Sequence, residues 1–170
     1  MKKLIESSTL YSAAGLNKRQ IEVRDLALNS LEAFITLVAP YQLIGLCHRH
    51  LIKWIEEHED DNKLILWPRD HGKSRYAAFY AAWNIVRDPS ITLVYASATA
   101  EKAEEQLRFI KNILTSQVVS RYFPGLINEK EGQRAAWNTT YIIVDHPLRV
   151  SEGVVDATIM TCGLDKTITG

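Results

Sequence analysis

A chain of 170 residues, 46% hydrophobic and 24% charged, is long enough to bury a sizeable core and has the balance of an ordinary globular protein. Lys+Arg and Asp+Glu both number 20, so the formal net charge is zero. That excludes a global basic field for holding nucleic acid and leaves DNA contact to local or transient patches, or to parts outside this chain.

The only two cysteines, Cys47 and Cys162, are far apart and form no metal-ligand spacing. Without a disulfide framework, a reducing compartment is the simpler expectation. No apolar stretch reaches membrane-spanning length. Met1, Lys2 and Lys3 are not followed by the apolar core of a signal peptide.

Residues 1–16 lack periodicity and are expected to be a loosely tied arm. From 17 to 38 the pattern is helical, with Leu28, Leu31, Ile35 and Val38 on one face. Pro40 interrupts it, because proline disfavours the helical conformation of the residue before it. A second helix is expected over 42–57, burying Leu43, Leu46, Cys47, Leu51, Trp54 and Ile55. After a charged loop, Leu64-Ile65-Leu66-Trp67 reads as a buried strand ended by Pro68. A polar loop then leads into a helix over 75–86, whose Ala77, Ala78, Ala81 and Ala82 suit close packing.

Residues 91–96 are rich in β-branched side chains and predict another buried strand. Ser97-Ala98-Thr99 caps a helix over 100–114 with Ala103, Leu107, Ile110 and Leu114 on one face. This strand–helix alternation predicts an α/β domain whose mostly parallel sheet is flanked by helices. A short helix over 117–123 is stopped by Pro124-Gly125. Residues 136–144 read as a strand, Asp145-His146-Pro147 as a turn, and 148–150 as a return, giving a β-hairpin insertion. A last strand is expected over 157–162.

The chemistry concentrates in Arg69-Asp70-His71-Gly72-Lys73-Ser74. Strand, loop, Gly-Lys-Ser and helix in that order is the layout of a phosphate-binding loop (P-loop). Gly72 permits backbone angles and approaches that a side chain forbids. Amides from His71 to Ser74 would lie at a helix N-terminus, where unpaired N–H groups and the helix dipole favour an anion. Lys73 would bring a cation to the β- and γ-phosphates of ATP, and Ser74 a hydroxyl to Mg²⁺. The usual first glycine is absent: Trp67 stands five residues before Gly72.

With these pieces placed, residues 40–170 resemble the N-terminal ATPase part of a bacteriophage terminase large subunit, the motor of viral genome packaging. Terminases often carry a deviant loop that lacks the first glycine and has an arginine four residues before the lysine, as Arg69 and Lys73 do. Tyr95 to Ala103 is similar to the family's second strand and helix. Thr161 to Gly170 is similar to the segment before its acidic strand. The resemblance implies a P-loop NTPase-type fold with residues 1–60 as N-terminal arm and helices and 61–170 as the ATPase core. The Asp-Asp or Asp-Glu of the acidic (Walker B) strand would then lie beyond Gly170, and this chain would be a fragment incomplete for catalysis. It further implies an ATPase hydrolase that couples ATP and Mg²⁺ to movement of double-stranded DNA into a capsid. Its partners would be a portal protein and a small terminase subunit, in a homo-oligomeric ring without a membrane, in the cytoplasm of an infected bacterium. Arg69 and Lys73 are its candidate catalytic residues.

Other residues carry alternatives. Arg69 would otherwise pair with Asp70 or Glu101. Gln42 resembles an adenine-reading glutamine, its amide being able to donate and accept, or is a plain first-turn residue. Asp145, after the apolar run Tyr141 to Val144, lacks a second carboxylate beside it and is read as part of the hairpin insertion. His48, His50 and His58 do not form a metal pattern. Arg108, Lys111 and Arg121 could touch DNA, though a solvated helix face suits them better. Two further functions remain open: a helicase-like nucleic-acid-dependent ATPase, and a nucleotide-binding module without catalysis.

Overall fold

The computed structural model describes residues 5–59 and 61–164. After a 3-10 turn at Ser7–Thr9 come α1 (Lys18–Asn29), α2 (Leu31–Val38), α3 (Leu46–Glu57) and α4 (Lys73–Arg87). The chain continues with β1 (Leu93–Ser97), α5 (Ala100–Leu114), α6 (Gln117–Tyr122), β2 (Ala136–Trp137), β3 (Tyr141–Ile143), α7 (Pro147–Ser151) and β4 (Ile159–Gly163).

Local chemistry sets the helix boundaries. Asn17 and Gln20 exchange side-chain-to-backbone hydrogen bonds of 2.9 and 3.0 Å, a capping box that starts α1. The single helix expected over 17–38 is two, because Ser30 adopts an extended conformation (φ −139°) and its hydroxyl accepts from Ala33 N–H to begin α2. The apolar periodicity runs across the break because both helices face the same core. The helix expected from 42 starts only at Leu46, behind Gly45.

The core forms around α4. Tyr76, Phe79, Ala82, Trp83 and Val86 are buried on it and meet Leu28, Phe34 and Ile35 from α1 and α2 and Leu107 and Ile110 from α5. Trp83 is fully buried, and its indole N–H donates to Ala27 C=O at 2.8 Å. The same buried cluster draws side chains from both sides of residue 60.

The sheet corrects the expected architecture. Strand order is β1-β4-β3-β2. Only β1 and β4 are parallel, in a register running from Leu93↔Ile159 to Ser97↔Gly163, while β3 pairs antiparallel with both β4 and β2. The sheet is small and mixed, not the mostly parallel sheet of the P-loop NTPase type. The physical reason lies in two segments. The run Leu64 to Trp67 joins no strand among the described residues: Leu64 and Leu66 are 81% and 84% exposed. Its alternate residue Ile65 borders an apolar hollow with Leu51, Ile55 and Tyr76. Apolar content was sufficient to suggest a strand, but a strand exists only where a neighbour takes its N–H and C=O groups.

The second segment is the stretch expected as one strand over 136–144. It folds at Asn138, whose side-chain oxygen accepts from the N–H groups of Thr140 and Tyr141 at 3.0 and 2.8 Å. The hairpin that results adds antiparallel strands to the β1–β4 pair. The return strand expected over 148–150 is instead the helix α7, started by Pro147 in its first turn, with His146 Nδ1 accepting from Leu148 N–H.

The expected loose arm is also tied. Ser7 and Tyr11 are buried, Tyr11 O–H donates to Val86 C=O at 2.6 Å, and Ile5 N–H donates to Asn29 Oδ1 at 2.8 Å. Burial pushes the Tyr11 phenol pKa up. Two arginines are buried as carbonyl clamps. Arg24 donates to Ser12 C=O at 2.7 Å and Tyr122 C=O at 3.3 Å. Arg149 donates to Pro89, Ile91 and Asp156 carbonyls. No described helix is long and apolar enough to cross a membrane. Of the segment likened to the one before an acidic strand, residues 165–170 lie outside the described residues.

Candidate functional site

Helix α4 has two ends of opposite character. Its middle and C-terminal turns are core; its first residues Lys73, Ser74 and Arg75 are exposed. Gly72 is its N-cap in the left-handed region (φ +71°), and no side chain caps the helix. A methyl group on Gly72 would meet only ordinary contact with the Tyr76 ring, at 3.7 Å. The glycine therefore answers a backbone demand, not a spatial one. Asp70 is also left-handed (φ +64°), a conformation that Asp tolerates better than most residues. The first intrahelical bond runs from Tyr76 N–H to Gly72 C=O at 3.0 Å. The amides of Lys73, Ser74 and Arg75 thus precede the helical ladder and have no intrahelical acceptor.

These residues form one wall of a cleft of ≈ 730 Å³, contributed by Arg69, Asp70, Gly72, Lys73, Ser74 and Arg75. The other wall is α5, through Lys102, Glu105, Gln106 and Phe109. A second hollow of ≈ 490 Å³ shares Lys73, Ser74, Lys102, Glu105 and Gln106 and continues to Tyr95, Ala96 and Ser97 on β1. Four cationic side chains (Arg69, Lys73, Arg75, Lys102) line the larger cleft against two carboxylates (Asp70, Glu105). Among the described residues, Arg69, Lys73, Ser74 and Lys102 make no side-chain hydrogen bond or ion pair. Positive charge without internal partners, beside uncapped amides, is an arrangement that attracts an anion.

The remaining predicted site residues fall around this cleft. His71 does not line it: its Nδ1 lies 2.8 Å from Arg69 C=O, and its own C=O lies 3.2 Å from His48 Nε2. His48 also stacks on Tyr76, with ring centroids 4.7 Å apart, so it braces the loop from behind. Gln42 does not line the cleft. Its Oε1 accepts from Arg75 Nη1 at 3.3 Å, and its amide N–H donates to Leu43 C=O at 3.3 Å. Burial pushes the neighbouring Tyr76 phenol pKa up, the nearby Gln42 amide offsets this in part, and the Tyr76 O–H donates to Leu43 C=O at 3.3 Å.

Asp145 does not line the cleft. Its two carboxylate oxygens accept from Asn128 N–H at 2.8 Å and Ala135 N–H at 2.9 Å, closing the 128–135 loop. No group of three or more His, Cys, Asp or Glu is placed to hold a metal ion among the described residues. The oxygen groups of Ser74 and Glu105 in the shared wall are hard donors. They suit a magnesium ion brought in by phosphates, since such an ion keeps few protein ligands.

Lys102, Glu105, Gln106 and Phe109 were not legible as site residues. Their spacing marks one flank of α5 beside its buried Ala103, Leu107 and Ile110, but a flank says nothing of which loop it will meet. No protein-family model, curated protein or solved structure matches this chain.

Proposed function

We propose that the cleft binds the polyphosphate of a nucleoside triphosphate, ATP with Mg²⁺, and that the protein works as a nucleotide-driven enzyme or part of one. The carrying observation is that Arg69, Lys73 and Ser74, the residues the motif nominates, share a cleft with the uncapped start of α4. Lys73 and the three leading amides would hold the β- and γ-phosphates. Arg69, from the loop, would neutralise charge that develops on the γ-phosphate during in-line attack by water. The Ser74 hydroxyl would face the metal, which when bound supplies charge neutralisation between the phosphates. The likeness of the loop to terminase ATPases supports DNA packaging as the setting, with duplex DNA, a portal and a small subunit as partners.

Titration of the full chain with Mg-ATP tests this. Binding that survives Lys73→Ala unchanged overturns it. Phosphate release from bound ATP would show that this chain itself supports turnover.

A further inference from the structure

Phosphate binding leaves one built feature of the cleft unused. The Arg75 guanidinium lies over the Phe109 ring at 5.0 Å. Its Nη1 donates to Gln42 Oε1 at 3.3 Å. Phe109 is held in turn by the buried Phe79, edge to face at 5.3 Å and 76°. The guanidinium is thus a planar cation with a ring beneath it and an amide at its edge. Arg75 is exposed and lines the cleft, so its other face is open to a ligand. Nucleobases stack on guanidinium planes as they do on aromatic rings, because every base has a π-face.

Resting on the reading of residues 69–74 as a phosphate site, we propose that Arg75 is the platform for the base. The ligand's polyphosphate lies on Lys73 and the first α4 amides, and its base stacks on the Arg75–Phe109 pair. Gln42 is a positioning residue that keeps the guanidinium plane in place. Arg75 is two residues beyond Lys73 on the same helical turn, which puts phosphate and base recognition on one rigid element. A larger stacking face favours a purine over a pyrimidine.

The test compares two ligands, ATP and inorganic tripolyphosphate, each with Mg²⁺, by calorimetric titration of the full chain. Arg75→Lys keeps the charge and removes the plane. It is expected to weaken ATP binding about five- to tenfold while changing tripolyphosphate by less than about twofold. Lys73→Ala weakens both. Gln42→Ala lowers the preference for ATP over tripolyphosphate, and Gln42→Glu, which keeps the acceptor, restores it. If Arg75→Lys weakens both ligands equally, Arg75 is a phosphate contact and the platform is overturned; if it changes neither, the platform is likewise overturned. A wild-type chain that binds neither ligand overturns the phosphate site and the platform together. One that binds tripolyphosphate as tightly as ATP keeps the phosphate site and overturns the platform alone.

Discussion

The protein uses its cations in two ways. Buried Arg24 and Arg149 and half-buried Arg87 are supplied with partners by the chain itself: backbone carbonyls for Arg24 and Arg149, the Glu59 carboxylate at 2.8 Å for Arg87. In the cleft, Arg69, Lys73 and Lys102 have none among the described residues. A buried charge must be satisfied when the chain folds, because desolvation is costly. An exposed charge costs little to leave open, so it is available to something that arrives later. The same helix carries both regimes: Trp83 of α4 is at the centre of the core, and Lys73, at its first residue, is in the cleft.

The sharpest way to break this division is at Trp83. Trp83→Ala removes a fully buried ring and leaves Ala27 C=O without its indole donor. It should cost about 3–5 kcal/mol, read by denaturant unfolding. Arg149→Met should follow, at about 2–3 kcal/mol, because three carbonyls lose their donor. Its folded fraction should bind Mg-ATP as the parent does; weakened binding would show that core and cleft are coupled.

Lys73→Ala should reverse that pattern. Its ATP affinity should fall about ten- to hundredfold, as expected for loss of charge-assisted hydrogen bonds. Its unfolding midpoint should scarcely move, since the side chain is exposed. A large loss of stability would move Lys73 into the structural class.

The smallest effect concerns the tied arm. Tyr11→Phe loses the hydrogen bond to Val86 C=O and should cost about 1 kcal/mol at neutral pH. The Tyr11 phenol pKa is raised by burial above its ordinary 10.0. The folded state then keeps a proton that the unfolded chain releases, so this contribution is full below pH 10.0 and is lost as pH rises beyond it. Unfolding curves from pH 8 to 11 should fall less steeply for Tyr11→Phe than for the parent. Equal slopes would mean that Tyr11 is not the group being titrated.

Much of this was legible in order along the chain. Thr99 is a cap with a local partner, Lys102 N–H. The apolar spacing of 100–114 gives α5, and Gly72 marks a turn into α4. Each depends on residues within a turn or two, which is the range that sequence periodicity reads. The cleft residues Arg69, Asp70, Gly72, Lys73 and Ser74 stood out as one motif for the same reason, being nearly contiguous.

Tertiary structure decided what depends on distant partners. Leu64 to Trp67 has the composition of a strand but pairs with no strand among the described residues, and the sheet is mixed because Asn138 turns the chain back on itself. Tyr11 reads as part of an arm until Val86 C=O, 75 residues away, accepts its proton. Lys102, Glu105, Gln106 and Phe109 become cleft residues only when α5 packs on α4, and Gln42 meets the cleft only through Arg75. The sequence alone determined α4, α5 and α6, the Thr99 cap and the contiguous Gly-Lys-Ser motif, because their interactions are local. Strand pairing, burial of the arm and the far wall of the cleft are long-range contacts, and no local pattern encodes which distant surface will be met.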